Sequence, residues 1–183
     1  LLVEQALFAP WSLEQFPHSP GVVAFAIVDQ PRTSMNFDFY GRPGVEVAFG
    51  ERSLAMNLHG PEKFQFGLRA SCRPRMIGAI DRKRELLILR TIEPDEFAAE
   101  FAAGSQRARY FNIADNDQPA GPWSAEDMYS VFYGAGLAFY ELETIAPARF
   151  EGPRLAASSL CSTTEIHHGD LAALERHVQR IIG

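Results

Sequence analysis

What this sequence has little of narrows its class first. No apolar run approaches the ~20 residues needed to cross a bilayer as a helix, so no membrane partner is expected. The start, Leu1-Leu2-Val3-Glu4-Gln5, has neither the basic end nor the small-residue cleavage site of a signal peptide, and the compartment stays open. An initiator Met is also missing, which leads to the expectation that the chain begins inside a longer protein. Basic side chains number 17 against 23 acidic ones and are dispersed. A formal charge of −6 gives little grip on phosphate backbones, which excludes nucleic acid as the expected partner. The two cysteines, Cys72 and Cys161, lie 89 positions apart and outside any CxxC pair, so zinc and redox motifs are absent and a bridge between them is left open. GxGxxG, GxxxxGK[ST] and GxSxG are missing too, against nucleotide binding and serine hydrolysis. Of the histidines, His18 follows Pro17, His167 and His168 precede a helical segment and His177 lies within it, none at metal-ligand spacing with acids. No metal and no cofactor is expected.

What remains is a chain of 183 residues, 46% hydrophobic and 11% aromatic, long enough for one ordinary core. It is patterned mostly as short strands. Val22–Val28 is an apolar run, Met35–Tyr40 alternates Met35, Phe37 and Phe39 against polar neighbours, and Val45–Phe49 and Ser53–Asn57 follow. Lys63–Leu68 puts Phe64, Phe66 and Leu68 on one face. Arg75–Ile80 and Glu85–Ile92 flank Asp81-Arg82-Lys83-Arg84, a hairpin with a solvated charged turn whose second strand, apolar on both faces, sits centrally. Ala108–Ala114, Met128–Tyr133, Leu137–Ile145 and Ser158–His167 read as further strands, with the polar stretch Asp115–Ala125 between the first two. A short helix is expected over Pro94–Phe101, and a longer one over Asp170–Ile182, capped by Asp170 with Leu171, Leu174, Val178 and Ile181 on one side. Close strand spacing predicts a mainly β, antiparallel β-sandwich with one C-terminal helix, residues 1–183 forming a single domain or the C-terminal portion of one. Phe37, Phe39, Phe64, Phe66, Leu86 and Ile88 are its expected core.

The segment richest in chemistry is Phe139-Tyr140-Glu141-Leu142-Glu143-Thr144-Ile145. Strand alternation throws Glu141 and Glu143 onto one face, about 7 Å apart. In a partly closed cleft, repulsion and desolvation would raise at least one of their pKa values toward neutrality, as a proton-transfer group requires; on an open face they are solvated charges. Trp11 and Trp123 have the apolar body and polar edge that stack on sugars. Asp115, Asn116 and Asp117 suit either ligand hydroxyls or an ordinary turn.

Leu142-Glu143-Thr144 and its flanks resemble the closing strands of the galactose mutarotase-like (aldose epimerase) superfamily. A bacterial branch of that superfamily carries patterns similar to Trp11-Ser12-Leu13-Glu14-Gln15, Lys63-Phe64-Gln65-Phe66-Gly67-Leu68, Ala114-Asp115-Asn116-Asp117 and Tyr140-Glu141-Leu142-Glu143, in that order. The resemblance implies a supersandwich-like fold, incomplete at its N-terminal side, and a carbohydrate as small-molecule partner. Glu143 would be the general base at a sugar's anomeric centre, with Trp11, Gln15, Asp115, Asn116 and Glu141 as substrate-binding residues. It also implies an open sheet edge inviting self-association. The family's acid, a histidine in a motif like H-x-Y-F-N, has no counterpart: before Tyr110-Phe111-Asn112 stands Ala108, and near Trp11–Gln15 only Gln15 is offered. Asn57-Leu58-His59-Gly60 echoes another family histidine too late in the chain. The expected function is therefore an epimerase-related isomerase. The alternatives are a non-catalytic carbohydrate-binding module and a structural β domain.

Overall fold

The computed structural model describes residues 11–37, 40–93, 99, 103, 108–109, 127–145, 148–151, 154–158 and 160–182, the side chains of 11–13, 108–109, 148–150 and 154–158 excepted. The chain opens with strands β1 (Trp11–Pro17) and β2 (Val22–Val28), a single helical turn α1 (Pro31–Ser34), and the short strands β3 (Met35–Asn36) and β4 (Val47–Phe49). Then come β5 (Ser53–Asn57), β6 (Phe64–Arg69), β7 (Pro74–Asp81), β8 (Leu86–Ile92) and β9 (Ala108–Arg109). The last part holds β10 (Asp127–Tyr133), β11 (Phe139–Ile145), β12 (Ala148–Glu151), β13 (Arg154–Ser158), β14 (Ser162–His168) and helix α2 (Leu171–Ile182). A first sheet has the order β1-β11-β10-β6-β3, a second β14-β8-β7-β2-β5-β4, and a small third one β13-β12-β9. Their pairings are antiparallel. The expected mainly β sandwich is what forms.

Alternation builds the layers. Phe64, Phe66 and Leu68 of β6, Tyr129, Val131 and Tyr133 of β10 and Tyr140 and Leu142 of β11 meet Val22, Ala24, Ala26 and Val28 of β2 and Ile77, Ala79 and Ile88 of β7 and β8 in one buried core. β10 lies over β7 and β11 over β8. The opposite face of the second sheet is apolar as well: Phe25, Ile80, Leu87 and Leu89 are buried under Leu174 of α2, with Leu171, Val178, Ile181 and Ile182 packed around them. Helix α2 starts where Asp170 Oδ1 accepts the Ala173 backbone N–H at 2.9 Å. Gly78 lets Phe25, its partner across β2 and β7, lie flat, since a Cβ at 78 would run into the ring.

Several expectations need correction. The 81–84 turn is not simply solvated: Asp81 is buried and its Oδ1 accepts from Ser19 Oγ (2.6 Å) and from the Lys83 and Arg84 backbone N–H groups, while Arg84 Nη1 reaches its Oδ2 at 2.8 Å. Burial pushes the Asp81 pKa up, but these donors overcome it and hold the carboxyl below its ordinary value. Phe64, Phe66 and Ile88 are buried, whereas Phe37 and Leu86 are half-buried. Leu137 belongs to a 3-10 turn, so the strand begins at Phe139. The strand expected over Ser158–His167 begins only at Ser162, as β14, and β12 and β13 were not foreseen. Both cysteines are free thiols, Cys72 buried and Cys161 exposed. Phe39, the Pro94–Phe101 helix apart from helical Ala99, and the Asp115–Ala125 stretch lie outside the described residues.

Candidate functional site

The first sheet turns one face into the core and the other away from it, and the outer face is polar. Register explains its composition. One cross-strand row runs Glu143 (β11), Ser130 (β10), Gly67 (β6), Asn36 (β3); the next runs Gln15 (β1), Glu141 (β11), Phe132 (β10), Gln65 (β6). Adjacent positions in a row are about 4.8 Å apart, so these side chains are neighbours although they come from distant parts of the chain. Glu143, Ser130, Gln65 and Asn36 are all buried. Such groups must be hydrogen-bonded, and they are. Gln65 Nε2 donates both to Glu143 Oε1 at 3.0 Å and to Ser130 Oγ at 2.7 Å. Because Ser130 Oγ accepts from Gln65, its own proton points elsewhere. At the far end of the row, Asn36 Nδ2 donates to buried Asp127 at 3.0 Å, and that carboxylate lies over Gly67, where a Cβ would collide with it.

The neighbouring row is more open. Exposed Gln15 donates to Glu141 Oε1 at 2.7 Å. Beside this pair runs an aromatic strip: the Phe132 ring is 5.9 Å from Phe139 and 6.0 Å from Tyr40, and Lys63 Nζ stands 4.7 Å from the Tyr40 ring centroid. Tyr40 and Lys63 also line a cleft of about 340 Å³ with Gly41, Arg42, His59 and Phe64.

From inside the sandwich, Arg90 of β8 braces the strand that carries both glutamates. It is 1% exposed, and Nη1 donates to the Leu142 carbonyl at 2.5 Å while Nη2 donates to Thr144 Oγ1 (3.2 Å) and Ser162 Oγ (3.3 Å). Both residues flanking Glu143 are thereby held by one side chain. Burial lowers the Arg90 pKa, and the negative charges of Glu14, 3.9 Å away, and of Glu143 oppose that shift. Glu14 in turn accepts from Thr164 Oγ1 at 2.9 Å, tying β1 to β14 at the rim of the two sheets.

Of the residues singled out from the sequence, Glu141, Glu143 and Gln15 come together on this face. Trp11 pairs with Ile145 through its backbone, and its side chain is not described. Asp115 and Asn116 lie outside the described residues. Gln65, Ser130, Phe132, Tyr40 and Arg90 were missed. The period-2 pattern of Phe64-Gln65-Phe66 marks Gln65 as facing away from the core, but nothing local says that its partner is 78 residues away. Among the described residues, no three histidines, cysteines or carboxylates are grouped to hold a metal ion. No protein-family model, curated protein or solved structure matches this chain.

Proposed function

We propose that the outer face of the first sheet binds a carbohydrate and that Glu143 is a general base at its anomeric centre. The observation that carries this reading is the Gln65–Glu143 hydrogen bond beside the Gln15–Glu141 pair: two carboxylates on one strand face, one buried and oriented, the other accessible. Glu143 would take the proton of the anomeric hydroxyl while an acid protonates the ring oxygen. The C–O ring bond then breaks, and the open aldehyde recloses on either face. Glu141 and Gln15 offer acceptor and donor groups for sugar hydroxyls, and Phe132, Phe139 and Tyr40 offer apolar rings against which a sugar's C–H face packs. The likeness of Leu142-Glu143-Thr144 to the galactose mutarotase-like motif supports the same assignment.

A second reading, a carbohydrate-binding module without catalysis, is favoured by a separate observation: none of the strands that make this face carries a histidine to serve as the ring-oxygen acid. Anomer exchange measured by NMR across a panel of aldoses separates the two. Glu143→Gln keeps size and one acceptor but removes the base, so an epimerase loses about 10²–10⁴-fold in turnover with unchanged sugar affinity. A module gives background exchange in both proteins while still binding sugar. Neither exchange nor binding with any sugar defeats both readings.

A further inference from the structure

Helix α2 covers only part of the second sheet's outer face, and beside it lies a cleft of about 720 Å³ that the carbohydrate reading does not use. Its floor is made by Val23, Phe25 and Ala55, one wall by Val178 and Ile182 of α2, and the other by Phe49. Ala55, on β5 between β2 and β4, contributes only a methyl group to that floor. The volume falls within the range of sites for small organic molecules, and such a lining binds by excluding water from an apolar body.

The rim, in contrast, is cationic in a chain whose net charge is −6. Arg82 and Arg176 line it. The lining carboxylate Glu175 is engaged by Arg82 at 3.0 Å. Arg176 is exposed and has no ion-pair partner among the described residues. An apolar trough edged by an arginine without a counter-charge calls for an apolar body carrying one negative charge.

We propose that this cleft is a binding site for a single-chain anionic amphiphile of the long-chain carboxylate class, the alkyl chain lying over Val23 and Ala55 and the carboxylate meeting Arg176. A neutral apolar ligand would leave the arginine unused. A polyanion would have too few cations to meet and an apolar floor to desolvate against. The site is on the opposite side of the sandwich from Glu143, so its test is independent of the sugar reading.

The test is calorimetric titration of the full chain with palmitate below its micelle concentration, with decanoate and hexadecanol for comparison. One saturable site is expected, tightening about fourfold per added methylene and weakening about tenfold or more for the uncharged alcohol. Ala55→Trp, which fills the floor, should abolish binding. Arg176→Glu, an exposed substitution that leaves the packed side of the helix untouched, should weaken palmitate at least tenfold and hexadecanol hardly at all. Thermal melting of both variants reports whether α2 has stayed docked. The proposal is overturned by the absence of saturable binding, by affinity independent of chain length, or by an Arg176→Glu variant that binds palmitate as well as the parent. It is equally overturned if sedimentation shows a dimer that Ala55→Trp dissociates while palmitate fails to bind, since a second copy then occupies the cleft.

Discussion

The two outer faces of this sandwich start from the same strand geometry and end as opposites. On the second sheet, Phe25, Ile80, Leu87 and Leu89 point outward and are buried only because α2 lies over them. On the first, the same alternate positions hold Glu143, Ser130, Gln65 and Asn36, also buried but satisfied through hydrogen bonds to one another and to Asp127. Apolar burial is non-directional and needs only cover; polar burial needs partners at defined positions. The first kind makes a stable platform. The second fixes side-chain orientation, which is what a site requires.

Breaking the apolar face should have the larger effect on stability. Leu174→Ala removes the buried anchor of α2 and is expected to cost about 2–4 kcal/mol in urea denaturation. Hydrogen exchange should quicken in α2 while β10 and β11 stay protected. Gln65→Leu tests the polar face: it takes one donor from each of Ser130 and Glu143 and should cost about 2 kcal/mol. In a double-mutant cycle with Glu143→Gln the two losses should fall short of additivity by about 1 kcal/mol. Additive losses would mean that the bond is not formed in solution.

A smaller effect is expected where the hairpin carboxylate meets the edge of the core. The folded-state pKa of Asp81 lies below its ordinary value of 3.8, so its contribution is complete above that value and is lost as acid titrates it below. Asp81→Asn should therefore cost about 1.5 kcal/mol at neutral pH, the low end for one hydrogen bond to a charged group. It should also flatten the fall in stability below pH 4, seen by urea denaturation across a pH series. The smallest effect has the opposite sign. The Tyr140 hydroxyl is buried with no hydrogen-bond partner among the described residues, and burial holds its pKa well up, with the negative charge of Asp81 adding to the shift. Tyr140→Phe removes an unsatisfied group and should be neutral or stabilising by up to about 1 kcal/mol. A loss above 1 kcal/mol would reveal a partner for that hydroxyl. Tyr129, whose pKa burial pushes up to about 12, accepts the Ile92 N–H at 2.8 Å and donates to the Arg75 carbonyl at 3.1 Å; it provides the contrast, since Tyr129→Phe breaks two bonds.

Where the pattern was strongly periodic, strand positions could be read directly. Val22–Val28 and Ser53–Asn57 coincide with β2 and β5, and Asp170 caps α2 as its place before the apolar stripe implied. Arg90 shows where such reading stops. Within Leu86–Ile92 it looks like the polar end of a buried strand, yet it is inside the sandwich and braces residues more than fifty positions away.

Sequence alone therefore determined which residues share a face, because the pleat of an extended backbone sends successive side chains to opposite sides whatever lies nearby. That is enough to place Glu141 with Glu143, to separate Gln65 from its phenylalanine neighbours, and to mark α2 as amphipathic. Only the tertiary structure decided which faces meet. Gln15 reaches Glu141 across 126 residues and Gln65 reaches Glu143 across 78, through strand orders in which β1 joins β11 and β6 joins β10. Those pairings arise from the packing of the whole core, since a polar side chain has no preference for one distant partner until apolar burial has brought the strands together.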